Sequence, residues 1–149
     1  MDLKAILAGV ELFEGLSHAE IQKVSTLCNK REYTENEVVA YQNTPGREMF
    51  IIQEGFVEVS VQRKGGSAGK VIVNLGTGQT VGEMSLIDQG LRSATVKAIT
   101  TPTIVQVIGQ NAFEKLCEQD NHIGYIVMRN IAADLSFRLR QRHLVDLIG

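Results

Sequence analysis

The hydrophobic period of this chain changes twice, and that double change restricts its fold more than any other feature. Up to about Cys28, apolar side chains recur every three or four positions. From about Lys30 they alternate, and at Gln110 the wider spacing returns. The middle holds short strand-like runs at Val38–Tyr41, Met49–Ile52, Phe56–Val61, Val71–Leu75, Ser93–Ile99 and Ile104–Ile108. Turn sequences separate them, among them Asn43-Thr44-Pro45-Gly46 and an exposed connection from Lys64 to Gly69. Short strands joined in this way predict an antiparallel sandwich or barrel flanked by helices, not βαβ units.

The flanking helices have readable faces. Leu3, Ile6, Leu7 and Val10 fit a short docking helix that breaks at Phe13-Glu14-Gly15-Leu16. Ser17 then reads as an N-cap, with Glu20 three positions on to complete a capping box. Ile21, Val24, Leu27 and Cys28 form the inner face of that second helix. Beyond the strands, Asn111 to Cys117 suits a short helix, and Asn121 or His122 opens a long one. Its stripe of Ile123, Val127, Ile131, Leu135 and Leu139 is widened by Ile126, Met128, Ala132, Ala133 and Phe137. One stripe covers the β body. The remaining width either packs on the same domain or receives a second helix in a symmetric homodimer.

A length of 149 residues suits a single domain, 1–149, with a core of its own. The formal net charge of -2 gives no global positive field for DNA or an anionic membrane, although Arg138, Arg140 and Arg142 cluster near the end. Cys28 and Cys117 sit inside apolar helical patterns and read as reduced, packed thiols. There is no signal-peptide pattern and no apolar run of the roughly 20 residues a membrane span needs, so a cytoplasmic protein is expected. His18, His122 and His143 lack metal-ligand spacing, and no serine-histidine-acid set can be assembled. A binding module is therefore expected, with no catalytic residue and no metal.

The chemistry concentrates in Gly82-Glu83-Met84-Ser85-Leu86 and Arg92-Ser93-Ala94-Thr95-Val96. A guanidinium at Arg92 can fork two donors onto a phosphate, which lysine cannot. The glycine lets the backbone turn inward and offer amides to an anion. Ser85 and Ser93 add hydroxyl donors. Glu83 would be repelled by a phosphate, so it belongs in such a site only where it accepts a hydroxyl hydrogen. The ligand implied is a small anion that also carries a ribose-like hydroxyl. Val59, Val61, Val73 and Leu75 are candidates for an apolar wall against a base.

The stretch Gly78 to Leu86, taken with Arg92 to Val96, resembles the phosphate-binding cassette of the cyclic nucleotide-binding domain family. The segment from Phe50 to Val59 and the closing helices extend the likeness over nearly the whole chain. It implies an antiparallel, jelly-roll-like β-roll with a long C-terminal helix. The implied function is a non-catalytic cyclic nucleotide sensor, for cAMP in preference to cGMP, with no cofactor beyond that ligand. Arg92 would pair with the cyclic phosphate and Glu83 would accept the ribose 2'-OH. Gly82, Met84, Ser85 and Ser93 would complete the anion cradle. Arg142 and His143, ahead of Arg138, are the C-terminal residues placed to touch the base. The alternative is an interaction module that keeps the fold without binding nucleotide. The chain stops at Gly149, without room for a helix-turn-helix, so DNA binding is not expected of these residues alone and an unnamed protein partner is. In a sensor of this kind the Gly82–Arg92 loop would draw inward on the ligand and the helix from His122 would swing. Leu86, Leu91, Phe113 and Leu116 would transmit the movement.

Overall fold

A computed structural model describes residues 2–62 and 69–148, with no side-chain description for 143–148. Two helices lead, α1 (Leu3–Ala8) and α2 (His18–Ser25), with a 3-10 turn at Glu11–Phe13 between them. Eight strands follow: β1 (Asn29–Tyr33), β2 (Val38–Ala40), β3 (Glu48–Glu54), β4 (Val57–Val61), β5 (Lys70–Leu75), β6 (Thr80–Val81), β7 (Thr95–Ala98) and β8 (Thr103–Gly109). A second 3-10 turn, Glu83–Leu86, separates β6 from β7. The chain then runs through α3 (Gln110–Gln119) and α4 (Asn121–Ile148). The capping box on α2 forms as expected: the Glu20 amide donates to Ser17 Oγ at 3.2 Å and the Ser17 amide to Glu20 Oε1 at 2.9 Å.

The strands form two four-stranded antiparallel sheets, in the orders β1-β8-β3-β6 and β2-β7-β4-β5. Strand β3 shows why the first sheet lies in the middle of the molecule. Successive strand side chains point to opposite faces, and here both faces are covered. Met49 and Ile51 join Ile108, Leu86 and the helices in one apolar cluster, while Phe50 and Ile52 join Val57, Val96, Val105 and Val107 in another between the sheets. Two strands were not anticipated. In β1, Asn-Lys-Arg-Glu-Tyr, almost every position is exposed at a sheet edge, so it shows no apolar alternation. Strand β6 is only two residues long. The connection expected from Lys64 to Gly69 falls, but for Gly69, outside the described residues.

The helical layer is packed on the middle sheet. Ile6, Leu7, Val10, Ile21, Val24, Phe113, Leu116, Ile123, Val127 and Ile131 are all buried together. Further along α4 the stripe leaves the body: Leu135 is half-buried, and Phe137 and Leu139 are exposed. Asn130 fastens α4 to the N-terminal segment, its Nδ2 donating to the Leu12 carbonyl at 2.8 Å and the Glu14 carbonyl at 2.9 Å. Cys28 and Cys117 are both free thiols, and burial pushes the Cys28 thiol up to about 11. Among the described residues, no helix is long and apolar enough to cross a membrane.

Candidate functional site

Arg92 lies just ahead of β7, and its backbone is fixed on both sides. Its amide donates to the Thr44 carbonyl, and its carbonyl accepts from the Asn43 amide, each at 2.8 Å. The half-buried side chain passes over Phe50, its Cζ 5.0 Å from the ring centroid, and Nη2 donates to the Glu48 carbonyl at 3.1 Å. The nearby Glu48 carboxylate is engaged elsewhere, in a fork with Arg31 at 2.7 and 3.3 Å. Among the described residues, Arg92 has no ion-pair partner. Burial pushes its pKa down from the ordinary arginine value, the Glu48 charge opposing the shift. A cation held this way gains from an incoming anion.

Gly82 opens the neighbouring 3-10 turn in the left-handed region, at φ 81°. A Cβ there would stand 2.9 Å from Arg92 Nη1 and 3.1 Å from the Glu48 carbonyl oxygen. Glycine thus meets two demands at once, the backbone sign and the close approach. The first bond of the turn runs from the Ser85 amide to the Gly82 carbonyl at 2.9 Å. The Glu83 and Met84 amides therefore have no acceptor within the turn. Ser85 is buried, with its Oγ tight against Gly46: a Cβ on Gly46 would come within 2.6 Å of it.

These groups border an open cavity of roughly 1280 Å³, more than the ~300–1,000 Å³ usual for a small-molecule pocket. Its apolar wall includes Val59, Val61, Val73 and Leu75 from β4 and β5. Gly82, Glu83, Met84, Ser85, Arg92 and Ser93 line it as well, so the two halves of the sequence motif face one space. The Glu83 carboxylate is turned partly inward, with a side chain only 14% exposed. From α4, the cavity receives Asn130, Ile131, Ala133, Asp134, Phe137 and Arg138. Arg142 is exposed and does not line the cavity, and the side chain of His143 lies outside the described residues.

Four contributors went unread in the sequence: Phe50 beneath Arg92, Glu48 beside it, Gly46 against Ser85, and Gln110. Gln110 is buried at the start of α3, where its Nε2 donates to the Asp88 carbonyl at 3.1 Å. It ties the loop after the 3-10 turn directly to the closing helices. No local pattern marks these residues, because each acts through a neighbour distant in sequence. Of the four expected transmitters, Leu86, Phe113 and Leu116 share one apolar cluster with α4. Leu91 does not: it is 63% exposed and lines the cavity itself, its backbone paired with Pro45.

The model for the cyclic nucleotide-binding domain matches residues 30–120. The cAMP-dependent protein kinase regulatory subunit of Mycosarcoma maydis is 42% identical over 92 residues, which are 62% of this chain and 17% of that protein. The cGMP-dependent protein kinase of Eimeria tenella is 26% identical over 122 residues, 82% of this chain and 12% of its own. Among solved structures, the catabolite activator protein of Thermus thermophilus superposes with a TM-score of 0.81 at 29% identity, over 93% of this chain and 62% of that one. The chain thus spans less than two thirds of each of these relatives.

Proposed function

We propose, on the premise that the chain belongs to the cyclic nucleotide-binding domain family, that it is a cAMP sensor acting as one domain over 1–149. As a domain it is regulatory and non-catalytic. The observation that carries the reading is Arg92: a half-buried guanidinium with no ion-pair partner among the described residues, facing a cavity whose other wall is apolar. The cyclic phosphate would take the Arg92 fork, the leading amides of the Gly82 turn and the Ser93 hydroxyl, with Met84 and Ser85 shaping the cradle. The ribose 2'-OH would donate to Glu83. The purine would lie along Val59, Val61, Val73 and Leu75. Arg142 and His143 lie one turn beyond Arg138 and would meet the base after α4 has folded inward.

Signalling would follow from population shift. As the ligand draws the cassette inward, Leu86 moves against Phe113 and Leu116, and the Gln110 bond to Asp88 carries the displacement into α3. Helix α4 then changes its placement and with it the surface offered to a protein partner. In the same reading the two sheets act as a β-roll around the ligand, the protein is cytoplasmic, and the exposed apolar residues of α4 serve a homodimer. DNA contact is assigned to no part of these residues. Calorimetric titration with cAMP and cGMP tests the reading. Heat with cAMP at the lower ligand concentration supports it, a preference for cGMP corrects the base assignment, and no heat with either leaves a protein-interaction module.

A further inference from the structure

Arg92 has a carboxylate within reach and is not paired with it. Its Nη2 donates to the main-chain carbonyl of Glu48 at 3.1 Å, so the Glu48 side chain starts beside the guanidinium. Glu48 and Phe50 are alternate residues of β3, and alternate residues of a strand leave the same face. Phe50 lies beneath Arg92, which puts Glu48 on the guanidinium's side of the sheet. The Glu48 charge acts on Arg92 through space. Its two oxygens, however, are both taken by Arg31: Nη2 stands 2.7 Å from Oε2 and Nη1 3.3 Å from Oε1. Arg31 comes from the edge strand β1. It lies opposite Val105 on β8, and Val105 lies opposite Ile52 on β3, so Arg31 issues from the same face as Glu48. Neither Arg31 nor Glu48 lines the cavity.

We infer that Arg31 is a positioning residue for the anion site: its fork withholds the Glu48 carboxylate from Arg92 and so keeps that guanidinium free for a ligand phosphate. The inference rests on the nucleotide reading of the cavity and deepens it. Two parallel N-H donors on one carboxylate are a geometry that a planar guanidinium offers and an ammonium does not. Without the fork, an unpaired carboxylate and an unpaired guanidinium stand side by side, and turning one side chain joins them. An arriving phosphate must then break that pair first. Its apparent affinity falls by the fraction of chains in which Arg92 is still free. The fork itself is part exposed, 44% for Arg31 and 35% for Glu48, so it contributes little to the fold. Its effect lies in the pair it prevents. A strand without apolar alternation thus carries the charge that keeps the site open.

The test is a charge-matched set of variants. Dissociation constants for cAMP and cGMP are measured on the wild-type chain, Arg31→Gln, Glu48→Gln and two double variants, with folding checked by thermal melting. One double variant joins Arg31→Gln with Glu48→Gln, the other Arg31→Gln with Glu32→Gln. Arg31→Gln is expected to weaken binding about 10-fold, because the freed carboxylate competes with the phosphate. Glu48→Gln, alone or with Arg31→Gln, should stay within about three-fold of wild type. Glu32 is the exposed neighbour of Arg31 on β1. Its double variant has the net charge of the rescued one but keeps Glu48, and should remain as weak as Arg31→Gln. Rescue through Glu48 alone is a pattern that loss of a structural ion pair does not produce. Wild-type affinity in Arg31→Gln, no recovery on adding Glu48→Gln, or equal recovery in both double variants overturns the inference and leaves the site standing. A wild-type chain that binds neither cAMP nor cGMP overturns the reading of the cavity and the inference with it.

Discussion

Arg92 separates binding from stability. Its guanidinium is kept partly out of water by Phe50 and the Glu48 carbonyl, and burial works against its charge. Arg92→Ala should therefore alter the melting temperature little, since the fold loses one hydrogen bond and a desolvated cation together. Binding should suffer far more, by about 2–5 kcal/mol, the scale for truncating one partner of a buried charge-assisted contact. Calorimetry showing wild-type affinity would remove Arg92 from the site. Gly82→Ala is expected to do the opposite in part, harming the fold as well. A Cβ at φ 81° and 2.9 Å from Arg92 Nη1 strains the turn and displaces the guanidinium, so a stability loss of about 1–3 kcal/mol should appear in urea unfolding along with weaker ligand binding. Both residues were legible in the sequence because each stands in a short motif of glycine, hydroxyl and charged residues, whereas their partners Glu48 and Phe50 lie on a distant strand. Arg138, the α4 arginine that lines the cavity, was harder to choose. Helix α4 carries arginines at 129, 138, 140 and 142, and only the register of that helix against the cassette selects among them.

At the scale of elements, the joint between α3 and α4 is clamped to α2 by two polar pairs. Lys23 Nζ lies 2.9 Å from Asp120 Oδ2, and His122 Nδ1 meets Glu20 Oε2. The Ser17 amide and the His122 ring hold the Glu20 carboxyl below the usual glutamate value of 4.5, and Lys23 does the same for Asp120 against 3.8. A depressed carboxylate pKa stabilises the fold above its unfolded value, and the benefit disappears as pH falls through the folded value. Lys23 is shifted upward by Asp120, so its share is present below 10.5 and is lost as pH rises through the folded value. The Lys23–Asp120 half of the clamp is thus at full strength across neutral pH. Glu20→Gln keeps a residue suited to the capping box while removing the charge. Its melting temperature should lie below wild type at pH 7, and the two curves should converge as the pH falls well below 4.5; parallel curves throughout would discount the carboxylate. The helices themselves were readable from apolar spacing and the Ser17–Glu20 signal. Strand β1 was not, because its five residues pair with β8 through backbone bonds while every side chain but that of Tyr33 is exposed.

For the whole molecule, three layers share one middle sheet, and β3 contributes alternate residues to both apolar clusters. Helices and sheets should therefore melt together. A ligand that binds only the folded chain raises its stability by mass action, so cAMP at 100 times its dissociation constant should add about 2.7 kcal/mol and move a single transition upward. Far-UV and near-UV circular dichroism that shift by different amounts would show the layers uncoupled. The layer order was foreshadowed by the two changes of period. The cavity's breadth was not, since it depends on how far α4 stands from β5, a distance that no local pattern records.

The grip of Asn130 on the carbonyls of Leu12 and Glu14 bears on what a partner would sense. A lever held near its middle can either bend beyond the grip or take its mount along. If α4 travels as a rigid rod, the segment from α1 to the first 3-10 turn rides as cargo, and the signal is broadcast from both ends of the chain. If instead it flexes after Ile131, the output is confined to the stretch bearing Asp134, Phe137 and Arg138, the same turns that overhang the cavity.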